Sequence, residues 1–256
     1  MNRITNLFDN RESRVLNVYC TAGYPRLNST LEVLQSLQAA GADMIEIGMP
    51  YSDPLADGPV IQASSAKAIE NGMTMKTLFE QLKNFRSVVS VPVILMGYMN
   101  PVLQFGFEKF CASAAEAGID GLILPDLPMY EYETEYGKII SKYGLKFIFL
   151  VTPETSEERV RKLDNLSTGF LYAVSSSSTT GNEKNMDNQA GYFKKLQDMK
   201  LKNPVLIGFG IKDKQTFDAA SRYSNGAIIG TAYIRALEKE GTISSITKEF
   251  IDGIIG

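Results

Sequence analysis

Met44-Ile45-Glu46-Ile47-Gly48, then Met49, then Pro50-Tyr51-Ser52-Asp53-Pro54-Leu55-Ala56-Asp57-Gly58-Pro59, reads as a buried strand running into a loop punctuated by proline and glycine. A short, unbroken apolar run of this kind marks a strand covered on both faces. Glu46 is out of place in it, because an ionised carboxylate without a partner costs several kcal/mol in a dry site. Asp57 follows on a loop that spans ~3.3–3.6 Å per residue, long enough to swing it towards Glu46 or away. Two acids meeting over a strand end suit proton-transfer chemistry. The plainer alternative is a lone buried Glu satisfied by backbone amides, beside an ordinary turn Asp.

The same kind of unit recurs along the chain. Candidate strands are Val15–Cys20, Met44–Ile47, Val93–Met96, Gly121–Leu124, Lys146–Leu150, Gly169–Val174, Pro204–Ile207 and Gly226–Ile229. Between them lie amphipathic stretches with helix start and stop signals. Asn28-Ser29-Thr30 precedes Leu31–Ala40, Phe107–Ala117 stops at Gly118, and Thr155-Ser156-Glu157-Glu158 places acids in a first turn. Asp213 leads into a helix over Lys214–Ser221, and two helices, Ile61–Asn71 and Met75–Val89, follow the second strand as an insertion. Eight strand–helix units in 256 residues predict an α/β fold, a (β/α)8 barrel with extra helices, as one domain over residues 1–256. A doubly wound open sheet is the rival, but neither GxGxxG nor GxxxxGK[ST] occurs.

Composition narrows the chemistry. Histidine is absent, which removes Ser-His-Asp and Cys-His nucleophile machinery and HExxH zinc sites, so acid–base work falls to Asp, Glu, Lys, Tyr or Cys. No metal site is expected. The net charge of −3 with no basic run argues against a nucleic-acid or anionic-membrane surface. No apolar stretch approaches the ~18–20 residues of a membrane span, and Met1–Phe8 lacks a signal-peptide core. Cys20 and Cys111 read as small core residues in a reducing compartment. The expectation is a soluble, cytoplasmic protein.

Barrels of this class often cradle phosphate in the loops after the seventh and eighth strands. Gly208-Phe209-Gly210-Ile211 and Gly230-Thr231-Ala232 occupy those places, where glycine lets backbone N–H groups approach an anion and Thr231 adds a hydroxyl. After the sixth strand, Ser175-Ser176-Ser177-Ser178-Thr179-Thr180-Gly181-Asn182 has the makings of a lid.

Taken together, the strand acid, the loop through Asp57 and the two glycine turns make the chain resemble the α subunits of tryptophan synthase from end to end. Tyr19-Cys20-Thr21-Ala22-Gly23-Tyr24-Pro25, Gly97-Tyr98-Met99-Asn100-Pro101 and Pro125-Asp126-Leu127-Pro128 carry the likeness further. The resemblance implies cleavage of indole-3-glycerol phosphate to indole and glyceraldehyde 3-phosphate, with no cofactor in this chain. It also implies a tryptophan synthase β subunit as partner, in an α2β2 heterotetramer, with pyridoxal phosphate in that partner alone. In those roles Glu46 is the shuttling acid–base and Asp57 accepts the indole N–H. Tyr19, Ile61, Met96, Tyr98, Tyr172 and Thr180 would meet the substrate, with Tyr19, Ile61 and Met96 walling the indole ring. Gly181, Phe209, Gly210, Gly230 and Thr231 would hold phosphate. Asp53 and Pro54, with Asn100, Pro101 and the segment to Gly106, would face the β subunit.

The chain departs from the family at Ser176 and Ser178, where Arg and Gly are frequent, and at Tyr19, where Phe is frequent. That last hydroxyl needs a partner if buried. Three other readings compete: a free-standing lyase of the same fold, another phosphosugar barrel such as an isomerase or epimerase, and a non-catalytic partner that only activates a β subunit. Neither of the last two has use for both Glu46 and Asp57.

Overall fold

Every described strand runs parallel to its neighbours, in a computed structural model that describes residues 2–54, 56–174, 186–208 and 210–256. The strands are β1 (Val15–Thr21), β2 (Met44–Gly48), β3 (Val93–Met96), β4 (Gly121–Ile123), β5 (Lys146–Phe147), β6 (Phe149–Val151), β7 (Leu171–Val174), β8 (Val205–Gly208) and β9 (Gly226–Ile229). Among the described residues they form one sheet in the order β5-β4-β3-β2-β1-β9-β8-β7-β6. β5 and β6 are the fifth expected strand, interrupted only at Ile148. The ladder changes partner there: Lys146–Phe147 pairs with β4 and Phe149–Val151 with β7, while the Ile148 N–H still donates to Leu122 at 3.1 Å. The two ends of the sheet are therefore one continuous segment, and the barrel closes with eight staves.

Alternation along each strand sorts the side chains into two cores. Inside the barrel sit Val15, Met44, Ile94, Ile123, Ile148, Phe170, Tyr172, Leu206 and Ile228. Outside, Leu16, Val18, Ile45, Ile47, Val93, Leu95 and Ile229 pack against the helices. Glu46 shares the inward phase of Met44, two residues earlier.

Three local expectations need correction. The helix expected over Met75–Val89 stops at Leu82, and a 3-10 turn covers Phe85–Ser87. Arg86 explains the break: its guanidinium donates to the carbonyls of Gly118, Val89 and Val91 and pairs with Asp120, pulling the chain onto the barrel. The helix expected to begin at Ile61 starts two residues earlier, over Pro59–Glu70, because Pro at its first position has no N–H to satisfy. An unanticipated helix, Arg3–Asn10, plugs the base of the barrel. Its Ile4 is wholly buried in the inner core, Phe8 packs on Phe170 with ring centroids 6.1 Å apart, and Arg3 and Asn2 reach Asp120. With the N-terminal end sealed, the free face is the one at the C-terminal strand ends, where barrels of this kind carry their chemistry.

Among the described residues no helix is long and apolar enough to cross a membrane. Cys20 and Cys111 are both buried free thiols.

Candidate active site

A cavity of about 340 Å³ opens at that face, lined by Tyr19, Glu46, Asp57, Ile61, Met96, Tyr172, Gly210, Gly230 and Thr231 among others. These nine residues, each singled out from the sequence, thus meet in one place. A second cavity of about 460 Å³ adjoins it at Met96, bounded by Leu124, Pro125, Leu150 and Val174 at the ends of other strands.

Glu46 is 1 % exposed. Its Oε2 accepts a hydrogen bond from Asn17 Nδ2 at 3.1 Å. Burial pushes its carboxyl up to about 8, the Asn17 donor works against that rise, and the nearby Asp57 adds to it. The alternative of backbone amides satisfying this acid does not hold, since its donor is the Asn17 side chain. A carboxyl poised there can both give and take a proton near neutrality.

Asp57 does not bond to Glu46. The Tyr98 hydroxyl donates to Asp57 Oδ2 at 3.0 Å and accepts from the Ala56 N–H at 3.1 Å, so one phenol pins both the carboxylate and its loop. The Asp57 N–H donates to Pro54, and Gln62 Nε2 donates to the Asp57 carbonyl at 2.8 Å. Burial raises the Asp57 carboxyl above the usual carboxylate range, and the Tyr98 donor offsets part of that. Gly58 and Pro59 then start the helix that brings Ile61 to the cavity wall.

Two tyrosines flank the acids. Tyr19 and Tyr172 are buried and their phenols are held well above the usual range, first by burial and then by the charges of Asp57 and Glu46. The extra hydroxyl of Tyr19 has the partner it needs, though a distant one, in Thr21 Oγ1 at 3.5 Å. Each side chain packs closely against a glycine of the next strand. A Cβ at Gly48 would stand 1.9 Å from the Tyr19 hydroxyl, and one at Gly208 2.4 Å from the Tyr172 ring. The first glycine of Gly208-Phe209-Gly210 therefore seats Tyr172, whereas Gly210, at φ +78°, makes the turn. Gly208→Ala is expected to displace Tyr172 and lower substrate turnover more than tenfold while the strand still pairs. Turnover with an unchanged Tyr172 environment in tyrosine fluorescence would contradict this.

Gly230 precedes a short helix, Thr231–Ala236, and Lys212 and Arg235 join the lining. These two cations were missed in the sequence, though one directly follows Gly208-Phe209-Gly210-Ile211 and the other lies a helical turn beyond Thr231. Asn17 was missed too; its only signal was a lone amide within an apolar strand. Thr180, Gly181 and Phe209 lie outside the described residues, as do Ser176 and Ser178. Asp53, Pro54, Asn100 and Pro101 do not line the cavity. Asp53 and Asn100 are exposed, and Asn100 Nδ2 donates to the Tyr51 hydroxyl at 2.8 Å, whose ring packs on Tyr98 at 5.4 Å.

Comparison with known proteins points one way. The family model for the tryptophan synthase alpha chain matches residues 7–251. The tryptophan synthase alpha chain of Flavobacterium psychrophilum is 54% identical over 249 residues, which is 97% of this chain and 98% of that one. The alpha chain of Parabacteroides distasonis is 50% identical over 255 residues, 99% of each chain. Among solved structures, tryptophan synthase subunit alpha from Legionella pneumophila superposes with a TM-score of 0.89 at 32% identity, covering 99% of this chain and 97% of that one. A chain of the tryptophan synthase complex from Pyrococcus furiosus gives 0.87 at 32% identity, covering 96% and 99%.

Proposed function

This chain belongs to the tryptophan synthase alpha chain family, and from that premise we propose that Glu46 and Asp57 carry its reaction, the retro-aldol cleavage of indole-3-glycerol phosphate. The enzyme is a carbon–carbon lyase of tryptophan biosynthesis. The observation that carries the assignment is the pair of unlike carboxyls on one cavity: Glu46 deep in the strand with its pKa pushed up to about 8, Asp57 above it and anchored by Tyr98.

Cleavage needs a proton on indole C3 and the loss of one from the glyceryl hydroxyl. Glu46 as the acid gives its proton to C3, which makes the ring an indolenine cation. The carboxylate left behind takes the hydroxyl proton as the C–C bond breaks, so Glu46 ends protonated and the sum is indole plus glyceraldehyde 3-phosphate. Asp57 accepts the indole N–H and stabilises the positive charge that grows there. Tyr19, Ile61 and Met96 wall the ring, and Tyr98 and Tyr172 stand beside the substrate. The backbone N–H groups around Gly210, Gly230 and Thr231 take the phosphate, in a cavity that Lys212 and Arg235 also line. The roles of Thr180, Gly181 and Phe209 in closing that end rest on the family resemblance alone.

The family supports a β-subunit partnership, and one solved relative is a tryptophan synthase complex. The assembly we infer is an α2β2 heterotetramer in the cytoplasm, with no cofactor in this chain and pyridoxal phosphate in the partner. Asp53, Pro54, Asn100 and Pro101 would meet that partner, and residues 1–256 would act as one domain. The contacts from Asn100 through Tyr51 and Tyr98 to Asp57 offer a route by which docking would set Asp57.

The test is indole release from indole-3-glycerol phosphate by the purified chain, with and without a tryptophan synthase β subunit. Release that rises with the partner is expected. Equal release alone would make the chain a free-standing lyase, and none in either case would overturn the site assignment.

A further inference from the structure

Asn17 lies in β1 one inward-facing layer below Glu46: it pairs with Met44, whereas Tyr19, two residues on, pairs with Glu46. It is wholly buried and approaches the carboxyl from the floor of the barrel, opposite the cavity mouth. Nδ2 donates to Glu46 Oε2 at 3.1 Å, while Oδ1 is buried with no hydrogen-bond partner among the described residues. A buried amide half satisfied is costly, because its orphaned atom has given up water for nothing. An amide presents a donor and an acceptor as separate atoms on one carbon.

We propose that Asn17 is a positioning residue for Glu46, serving the carboxylate as a donor and the carboxylic acid as an acceptor by turning the same amide over. When Glu46 is ionised, Nδ2 faces it, as in this structure. When Glu46 carries its proton, a half-turn about the Cβ–Cγ bond brings Oδ1 to face Oε2, and the acid O–H donates to it. Neither orientation takes a partner from elsewhere, because the atom facing away has none in the present one. A residue that must pass between acid and base within one turnover thereby keeps a hydrogen bond in both forms. This rests on the assignment of Glu46 as the shuttling acid–base.

The other groups around Glu46 do not duplicate the role. Tyr19 and its neighbour Cys20 on β1, Tyr172 on β7 and Asp57 on the strand-two loop all influence its charge or are influenced by it. The Tyr19 hydroxyl pairs with Thr21, Asp57 takes its bond from Tyr98, and Met96 on β3 is apolar. Asn17 also opposes the rise of the Glu46 pKa, as a donor to the ionised form must.

The test is the titration of Glu46 by carbon-13 NMR of side-chain-labelled glutamate in the full chain, assigned with Glu46→Gln, together with the pH profile of indole release. In Asn17→Leu, close in size but without either polar atom, both bonds are lost, and because the bond to the charged form is the stronger the midpoint is expected to move up by about one pH unit. The alkaline limb of kcat/KM should follow, with kcat down about tenfold and KM within about threefold. Asn17→Ser, whose hydroxyl both donates and accepts, should restore part of the shift. If Asn17→Leu fails to fold, the isosteric Asn17→Asp replaces it. Two carboxyls that close share a proton, so an upper midpoint above the wild-type value is expected. An unmoved midpoint in the folded variant would overturn the proposal, as would a loss of kcat with no change in pH profile. Because the titration needs no turnover, its result stands apart from whether the chain releases indole.

Discussion

Replacing Glu46 by Gln is expected to lower indole release by about 10²–10⁴-fold at every pH, the usual worth of a positioned acid–base group. The variant should nonetheless be the more stable protein above neutral pH. Glu46 has an ordinary value of 4.5 and a folded value of about 8, so between those limits the folded chain holds a proton that the unfolded chain has released. Stability contributed at this site is therefore intact below about pH 4 and declines as pH rises through 8. A glutamine does not titrate. The stability of Glu46→Gln relative to wild type should grow across that window, reaching on the order of 5 kcal/mol by pH 9 from 1.36 kcal/mol per unit. Urea unfolding at pH 5 and pH 9 measures it. Parallel loss of stability in both proteins would mean that Glu46 is ionised in the fold at neutral pH, and its role as the initial acid would fail.

Asp57→Asn should cost about 10²–10³-fold in kcat, the scale seen when one preorganised stabiliser of developing charge is removed. An amide keeps the shape and still accepts from the indole N–H, so KM should change little; what is lost is the negative charge opposite the indolenine cation. The substitution also removes a like charge that raises Glu46, so the alkaline limb of kcat/KM should move to lower pH. Tyr98→Phe serves as the control: the carboxylate survives but loses its anchor, and a smaller loss with no downward shift is expected. Near-full turnover in Asp57→Asn would remove Asp57 from the mechanism.

The strands and the two acids were readable because each depends on a local contrast. Val93–Met96 and Gly226–Ile229 are apolar runs, the first set between Pro92 and Gly97 and the second between Asn225 and Gly230, and both fall where expected. Glu46 announces itself because a charge inside such a run is costly to bury and so marks a candidate site of chemistry. The cases that escaped were those in which a distant side chain overrides local pattern. Arg86 ends a helix by bonding carbonyls beyond its own turn, and the plug at Arg3–Asn10 is held by Asp120, more than a hundred residues away. Gly208 reads as an anion-binding glycine until the Tyr172 ring is found lying on it.

Periodicity and punctuation along the chain were enough for a (β/α)8 barrel and for singling out Glu46 and Asp57 as candidate acids, since each follows from which residues can be buried or can turn. Closure through Ile148, the amide beneath Glu46 and the phenol that holds Asp57 came only with the folded chain. They depend on register between β1 and β2 and on Tyr98 crossing to a loop 41 residues earlier. Hydrogen bonds reach across about 3 Å of space, and nothing in the order of residues encodes which pairs will stand that close.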